Sequence, residues 1–243
     1  MKRNLQSIRW RYKVRTYILR QLDRVGRRVT SGLLRRSGDG FDLLEVAQLR
    51  AAFDSASYYE RHMLTARACT NDLELLSSAI ELADKDGLFL EFGVASGRTI
   101  SHIASRHSGP VHGFDSFLGL PENWRTGYEK GTFAGVMPEV PPNVHFEVGL
   151  FSNTLPDFVT KHSGSVSFVH IDCDLYSSTK MILDTLAGRF YPGTVLVFDE
   201  YFNYPGWRAH EFKAFQEFVS ESHIKYDYIY FVPRHQQVCV IIR

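Results

Sequence analysis

Leu88-Phe89-Leu90-Glu91-Phe92-Gly93-Val94-Ala95-Ser96-Gly97, residues 88–97, decides the fold. An apolar run of five residues is too short for a helix, and glycines four apart behind it predict a strand that ends in a tight turn. The next residues, 98–106, place Ile100, Ile103 and Ala104 at helical spacing, so the turn feeds a helix. Upstream, residues 42–52 and 71–83 also have helical spacing. The second of these opens on Thr70 and Asn71 as caps and closes before Gly87. Downstream, short runs rich in β-branched and aromatic residues at 111–114, 144–148, 166–171 and 194–198 predict strands. Between and after them, residues 154–162, 177–190 and 207–220 predict helices. Alternation of this kind implies a mostly parallel sheet with helices on both faces. Two last runs, 226–232 and 238–242, flank Pro233-Arg234-His235-Gln236-Gln237 and predict an antiparallel hairpin, which brings the sheet to seven strands. Residues 119–142 are rich in Gly and Pro and lack a period, as expected of a long loop serving as a lid.

With 44% hydrophobic and 23% charged residues over 243, disordered and fibrous classes are excluded. No apolar run approaches the ~18 residues of a membrane-crossing helix. Cys69, Cys173 and Cys239 are scattered, without a C-x-x-C pair, which predicts a reducing, cytoplasmic setting and fits neither a disulfide framework nor a cysteine-built zinc site. The net charge of +1 conceals an asymmetry: residues 1–36 hold twelve Lys and Arg against Asp23, leaving 16 basic and 26 acidic residues beyond. Leu5, Ile8, Tyr12, Leu19 and Leu22 fall on one side of a helical wheel, and Lys2, Arg9, Lys13, Arg20, Arg24 and Arg27 on another. A basic amphipathic extension over residues 1–40 is therefore expected. It ends at Ser37-Gly38-Asp39-Gly40, and the main domain runs over 41–243. The extension suits an anionic membrane surface, RNA or an acidic protein surface, and equally a plain mobile tail.

In open α/β sheets ligands bind beyond the carboxyl ends of the strands. Here the first run ends in the turn Gly93–Gly97, whose backbone can approach a ligand closely and whose helix amides suit an anion, a pyrophosphate or an amino-acid carboxylate. The first two glycines of G-x-G-x-x-G are missing, which argues against a dinucleotide. The second run ends in Asp115, placed to accept hydrogen bonds from two ribose hydroxyls. The fourth and fifth end in Asp172-Cys173-Asp174 and Asp199-Glu200. Carboxylates converging on one rim would raise one another's pKa unless a cation sat between them, and oxygen ligands favour Mg²⁺. The competing reading is that these acids cap the following helices. Trp124, Tyr128, Tyr201, Asn203, Tyr204 and Trp207 are expected at the site mouth, as acceptor contacts or as apolar cover. His170 and His210 are expected nearby as structural hydrogen-bonders.

The blocks LEFGVASG, GFDSFLGLPENW, EVGLFSNTLP, FVHIDCDLYSST, GTVLVFDEY and YPGWRAHEFKAFQEF resemble, in order and spacing, the macrocin-type O-methyltransferases. These are class I enzymes dependent on S-adenosylmethionine (SAM), with a Rossmann-like sheet finished by an antiparallel hairpin. The resemblance covers about residues 88–218. It implies SAM as methyl donor, Mg²⁺ as metal, and a hydroxyl of a sugar, glycan or other small molecule as acceptor. By carry-over, Glu91, Gly93, Ala95, Ser96 and Gly97 shape the methionine pocket, Asp115 holds the ribose with Ser116 and Phe117 beside the nucleoside, and Gly149 and Phe151 border the adenine. Asp172 is implied as metal ligand and general base, with Asp199 and Glu200 completing the metal set. Family members often carry two aspartates at that last pair, so Glu200 is a departure.

Two rival readings stand beside this one. In a metal-dependent glycosyltransferase, Asp172-Cys173-Asp174 would be the D-x-D motif that grips a nucleotide sugar. In a non-catalytic adaptor, the basic N-terminus would do the binding. Besides the hydroxyl acceptor, the partners expected are a membrane surface or acidic protein met by residues 1–36, and further copies of the chain. Nucleic acid is not expected, given the acidic balance beyond residue 36.

Overall fold

Alternate residues of the central strands divide between two apolar layers, and that division sets the architecture. In the computed structural model, which describes residues 41–243, Leu90, Val169, Ile171, Leu196 and Phe198 belong to one buried cluster. Their strand neighbours Phe89, Phe168, Val195 and Val197 belong to the other. The basic extension, and the surfaces expected to meet it, lie outside the described residues. The chain divides into two compact units, residues 1–50 and 51–243. The second carries everything that follows, apart from the start of the first helix.

The elements in order are α1 (Leu43–His62), β1 (Arg67–Ala68), α2 (Asp72–Leu82), β2 (Leu88–Phe92), α3 (Arg98–Arg106), β3 (Val111–Asp115) and β4 (Val144–Val148). There follow α4 (Phe151–Lys161), β5 (Val166–Ile171), α5 (Tyr176–Leu186), β6 (Val195–Phe198), α6 (Glu211–Ser222), β7 (Tyr226–Phe231) and β8 (Val238–Ile242). The strands form one eight-stranded sheet in the order β1-β7-β8-β6-β5-β2-β3-β4. All pairings are parallel except those of β8 with β6 and β7. The expected α/β sheet with its hairpin is therefore present, and the strand beyond the expected seven is β1. Its two residues pair with Tyr230 and Phe231, too short a stretch to leave a pattern in sequence.

Local chemistry explains the boundaries. Asn71 caps α2: its side chain accepts from the Glu74 amide, while the Glu74 carboxylate accepts from the Thr70 amide. Gly113 lets α3 press on the sheet, since a Cβ there would lie 2.3 Å from the Ile100 side chain. The single helix expected over 207–220 is divided. A 3₁₀ turn, Trp207–Ala209, precedes α6, and His210 between them has non-helical backbone angles. Beneath α6 the hydroxyls of Tyr58 and Tyr201 each lie 2.6 Å from that of Tyr228, and Gln216 donates to Tyr201. This buried network joins α1, α6 and β7.

Candidate active site

The carboxyl ends of β2, β3, β5 and β6 meet at one edge. The exit of β2 is possible only because residue 93 is glycine. Its φ is +92°, and a Cβ would stand 1.7 Å from the Asp172 carbonyl oxygen. On the other side the Asp172 amide donates to the Phe92 carbonyl at 2.8 Å. The glycine bend and the acidic end of β5 are thus in backbone contact. Ala95 and Asp174 also lie in the left-handed region, at φ 44° and 64°, and such conformations cluster where a site imposes them.

Asp115 ties the bend to β3. One carboxylate oxygen accepts from the Val94 and Ala95 amides at 2.8 Å, and the other from the Phe117 amide at 2.8 Å. Of about four acceptor positions on a carboxylate, three are filled from within the chain. Asp115 so placed keeps acceptor capacity for a ligand hydroxyl.

A cavity of about 640 Å³ opens over this edge. Of the residues expected to bind the cofactor, Gly93, Ala95, Asp115, Ser116, Gly149 and Phe151 line it. The other four stand elsewhere. Glu91 is wholly buried inside the sheet, Ser96 is exposed, Gly97 is packed beneath Pro138 and Val140, and Phe117 meets Phe146 edge-on. Asp172, Asp174 and Glu200 line the cavity as well.

The acids do not cap α5, whose N-cap is Leu175 with no side-chain bond. They converge instead. His170 Nδ1 lies 2.7 Å from Glu91 Oε1, and Nε2 faces Asp199 Oδ1 at 3.8 Å, beyond hydrogen-bond length. Burial opposes charge on His170, yet Asp199, Glu91 and Asp172 together hold its pKa well above the ordinary value. Burial also opposes ionisation of Asp199, but His170 and the Gln237 amide, which donates at 3.0 Å, keep its pKa low. Burial and the charge of Asp199 drive Asp172 and Glu200 well above the carboxylate range. Asp174 rises to about 7, burial outweighing the nearby Arg125.

Among the described residues, ligand atoms of His170, Asp172 and Asp199 lie within 4.8 Å of one another. His170 Nε2 and Glu200 Oε2 are buried without hydrogen-bond partners. This donor set fits a divalent cation, which would offset the mutual repulsion. Glu200, expected as third ligand, stands outside that group but lines the same cavity, while His170, whose charged form the acids favour, lies within it. The Glu200 amide is held by Glu211, a carboxylate buried at the start of α6.

Several site residues carried no signal in sequence. Arg125 stacks on Trp124, Tyr128 and Tyr204, its guanidinium carbon 3.8, 4.8 and 4.7 Å from the ring centroids. His235 and Gln236 of the hairpin loop line the cavity, so His170 and His210 are not alone in their neighbourhood. Trp124 and Tyr128 line the cavity as expected, joined by Phe133. Tyr201, Tyr204 and Trp207, expected at the mouth, are core residues. The loop over 119–142 is bonded to itself, through Leu120 to Thr132 and Trp124 to Tyr128, and Ser177 donates to Glu122 to hold it to α5.

A family pattern described as a methyltransferase domain matches residues 90–201. Among solved structures, the chain is similar to CalS11, a calicheamicin methyltransferase, at a TM-score of 0.58 and 20% identity over 85% of this chain and 99% of that one. It is similar also to the O-methyltransferase NovP, at 0.53 and 22% over 70% of this chain and 78% of that one. No curated protein matches the chain. The sheet order, the glycine bend and the matched segment converge: residues 90–201 match the methyltransferase domain, on a Rossmann-like fold shared with these O-methyltransferases.

Proposed function

We propose that this protein transfers the methyl group of SAM to a hydroxyl of a small molecule, a sugar in the first place, in the manner of the macrocin-type enzymes its sequence resembles. One juxtaposition supports the reading. A single cavity is bounded by the bend residues Gly93 and Ala95 and by Asp172, Asp174 and Glu200, so donor and acceptor share one space. Pockets of 300–1,000 Å³ hold small ligands, and about 640 Å³ falls within that range.

In this reading the glycine bend, with Asp115, Ser116, Gly149 and Phe151, holds SAM, and the faces of Trp124, Tyr128 and Phe133 hold the acceptor. Asp172 and Asp199, with His170 beside them, would hold Mg²⁺ or a similar cation, whose charge lowers the pKa of a bound hydroxyl and keeps the carboxylates ionised. Asp172 takes the hydroxyl proton as the oxygen forms its bond to the methyl carbon, and the carbon–sulfur bond breaks to leave a neutral thioether. Positioning supplies most of the acceleration. Residues 1–36 are assigned to an anionic membrane surface or an acidic protein.

Calorimetry with SAM and with a panel of nucleotide sugars tests the proposal. Heat from SAM, followed by methyl transfer to a sugar hydroxyl, is the expected result. A response to a nucleotide sugar and none to SAM would overturn it in favour of the D-x-D reading.

A further inference from the structure

On the face of β3 and β4 that α4 covers, the register places His112 opposite His145 and Phe114 opposite Glu147. Alternate side chains share a face. His112, His145 and Glu147 therefore lie on the side of Phe114, which α4 covers through Phe158. One turn beyond Phe158, at the end of α4, His162 comes down on the same spot, its ring centroid 4.8 Å from that of His112. None of the four residues lines the active-site cavity.

His112 is anomalous for a core residue. Its side chain is 8% exposed, yet Nδ1 has no hydrogen-bond partner and stands 3.9 Å from Glu147 Oε1, too far to bond. A buried polar atom left unpaired is costly and calls for an explanation. Nδ1 faces Glu147, and ligand atoms of His112, Glu147 and His162 all lie within 4.8 Å of one another.

We propose that His112, Glu147 and His162 bind a borderline divalent transition metal, Zn²⁺ being the type, which clamps the edge strand β4 and the end of α4 onto β3. Two imidazole nitrogens and one carboxylate oxygen are a zinc donor set, whereas Mg²⁺ demands oxygen. Ligand atoms on one tetrahedral Zn²⁺ stand about 3.4 Å apart, so modest side-chain rotations close the site. His145, the exposed register partner of His112, or a water completes it.

The test uses the full chain, stripped with a chelator and dialysed, and titrated with Zn²⁺ by calorimetry and with Co²⁺ by visible absorption. The wild type should bind Zn²⁺ at this site and give the intense Co²⁺ bands of a nitrogen-bearing site of low coordination number. His162→Ala and Glu147→Gln, both at half-buried positions and checked for folding by circular dichroism, should each weaken this binding by roughly 100-fold. Asp172→Asn, which alters the acidic edge instead, should retain it. Binding unchanged in both His162→Ala and Glu147→Gln, or lost in Asp172→Asn alone, would overturn the proposal, as would a wild type that takes up neither ion.

Discussion

Asp172 and Asp115 stand at the ends of β5 and β3, on either side of β2, and make different contacts. Asp115 spends its carboxylate on the backbone of the bend, while the Asp172 side chain faces the other acids of the edge. Asp172→Asn should therefore leave SAM affinity within about twofold while lowering turnover by roughly 10²–10⁴, the range of a lost general base. Asp115→Ala, by releasing the Val94 and Ala95 amides, should weaken SAM binding itself. Calorimetry and single-turnover kinetics on the two variants separate these effects, and equal loss of SAM affinity in both would contradict the division of roles. Both aspartates could be read from sequence, because each ends an apolar run. The partners of Asp115 could not, since they depend on how the bend folds back. Arg125 left no trace for a related reason: an arginine in an aperiodic loop carries no pattern until its aromatic neighbours are gathered from residues 124, 128 and 204.

At the scale of elements, two features hold the edge in shape. The first is the exit of β2. Gly93→Ala adds a methyl that would overlap the Asp172 carbonyl and forces a positive φ on alanine, so β2 and β5 must part at that point. SAM binding should be lost and the melting temperature lowered, as differential scanning fluorimetry with and without SAM would show. The second is the loop over 119–142. The absence of period there predicts a lid, yet its internal hydrogen bonds and the stacked Arg125 describe a braced cover. Arg125→Ala should cost about 1–2 kcal/mol of local stability and speed proteolytic cleavage between residues 119 and 142, measured against cleavage of the wild type. Strands and most helices were legible because burial on both faces writes continuous apolar runs and helical spacing writes amphipathic ones. The break before α6 was hidden by unbroken spacing, since Trp207 and Phe212 are buried or partly buried on both sides of His210.

Over the whole molecule, the concentration of acids at one edge makes stability depend on pH. Asp174 has a pKa of about 7 in the folded chain, against 3.8 for its ordinary value, because of burial and Asp199. Between these values the folded state binds more protons than the unfolded, so stability falls as pH rises from about 4 to 7. In chelator, Asp174→Asn should flatten part of that fall in denaturant titrations across the same range, and Mg²⁺ added to the wild type should restore stability near pH 7. A slope unaffected by the substitution would show that Asp174 does not titrate there. The two margins of the sheet have a consequence of another kind. One is the two-residue β1, and the other is β4, which carries His145 and Glu147 along its short length. Neither gives an incoming chain a long greasy ribbon to zip against, so the protein should resist fibril-like stacking even where concentration or crowding brings its copies side by side.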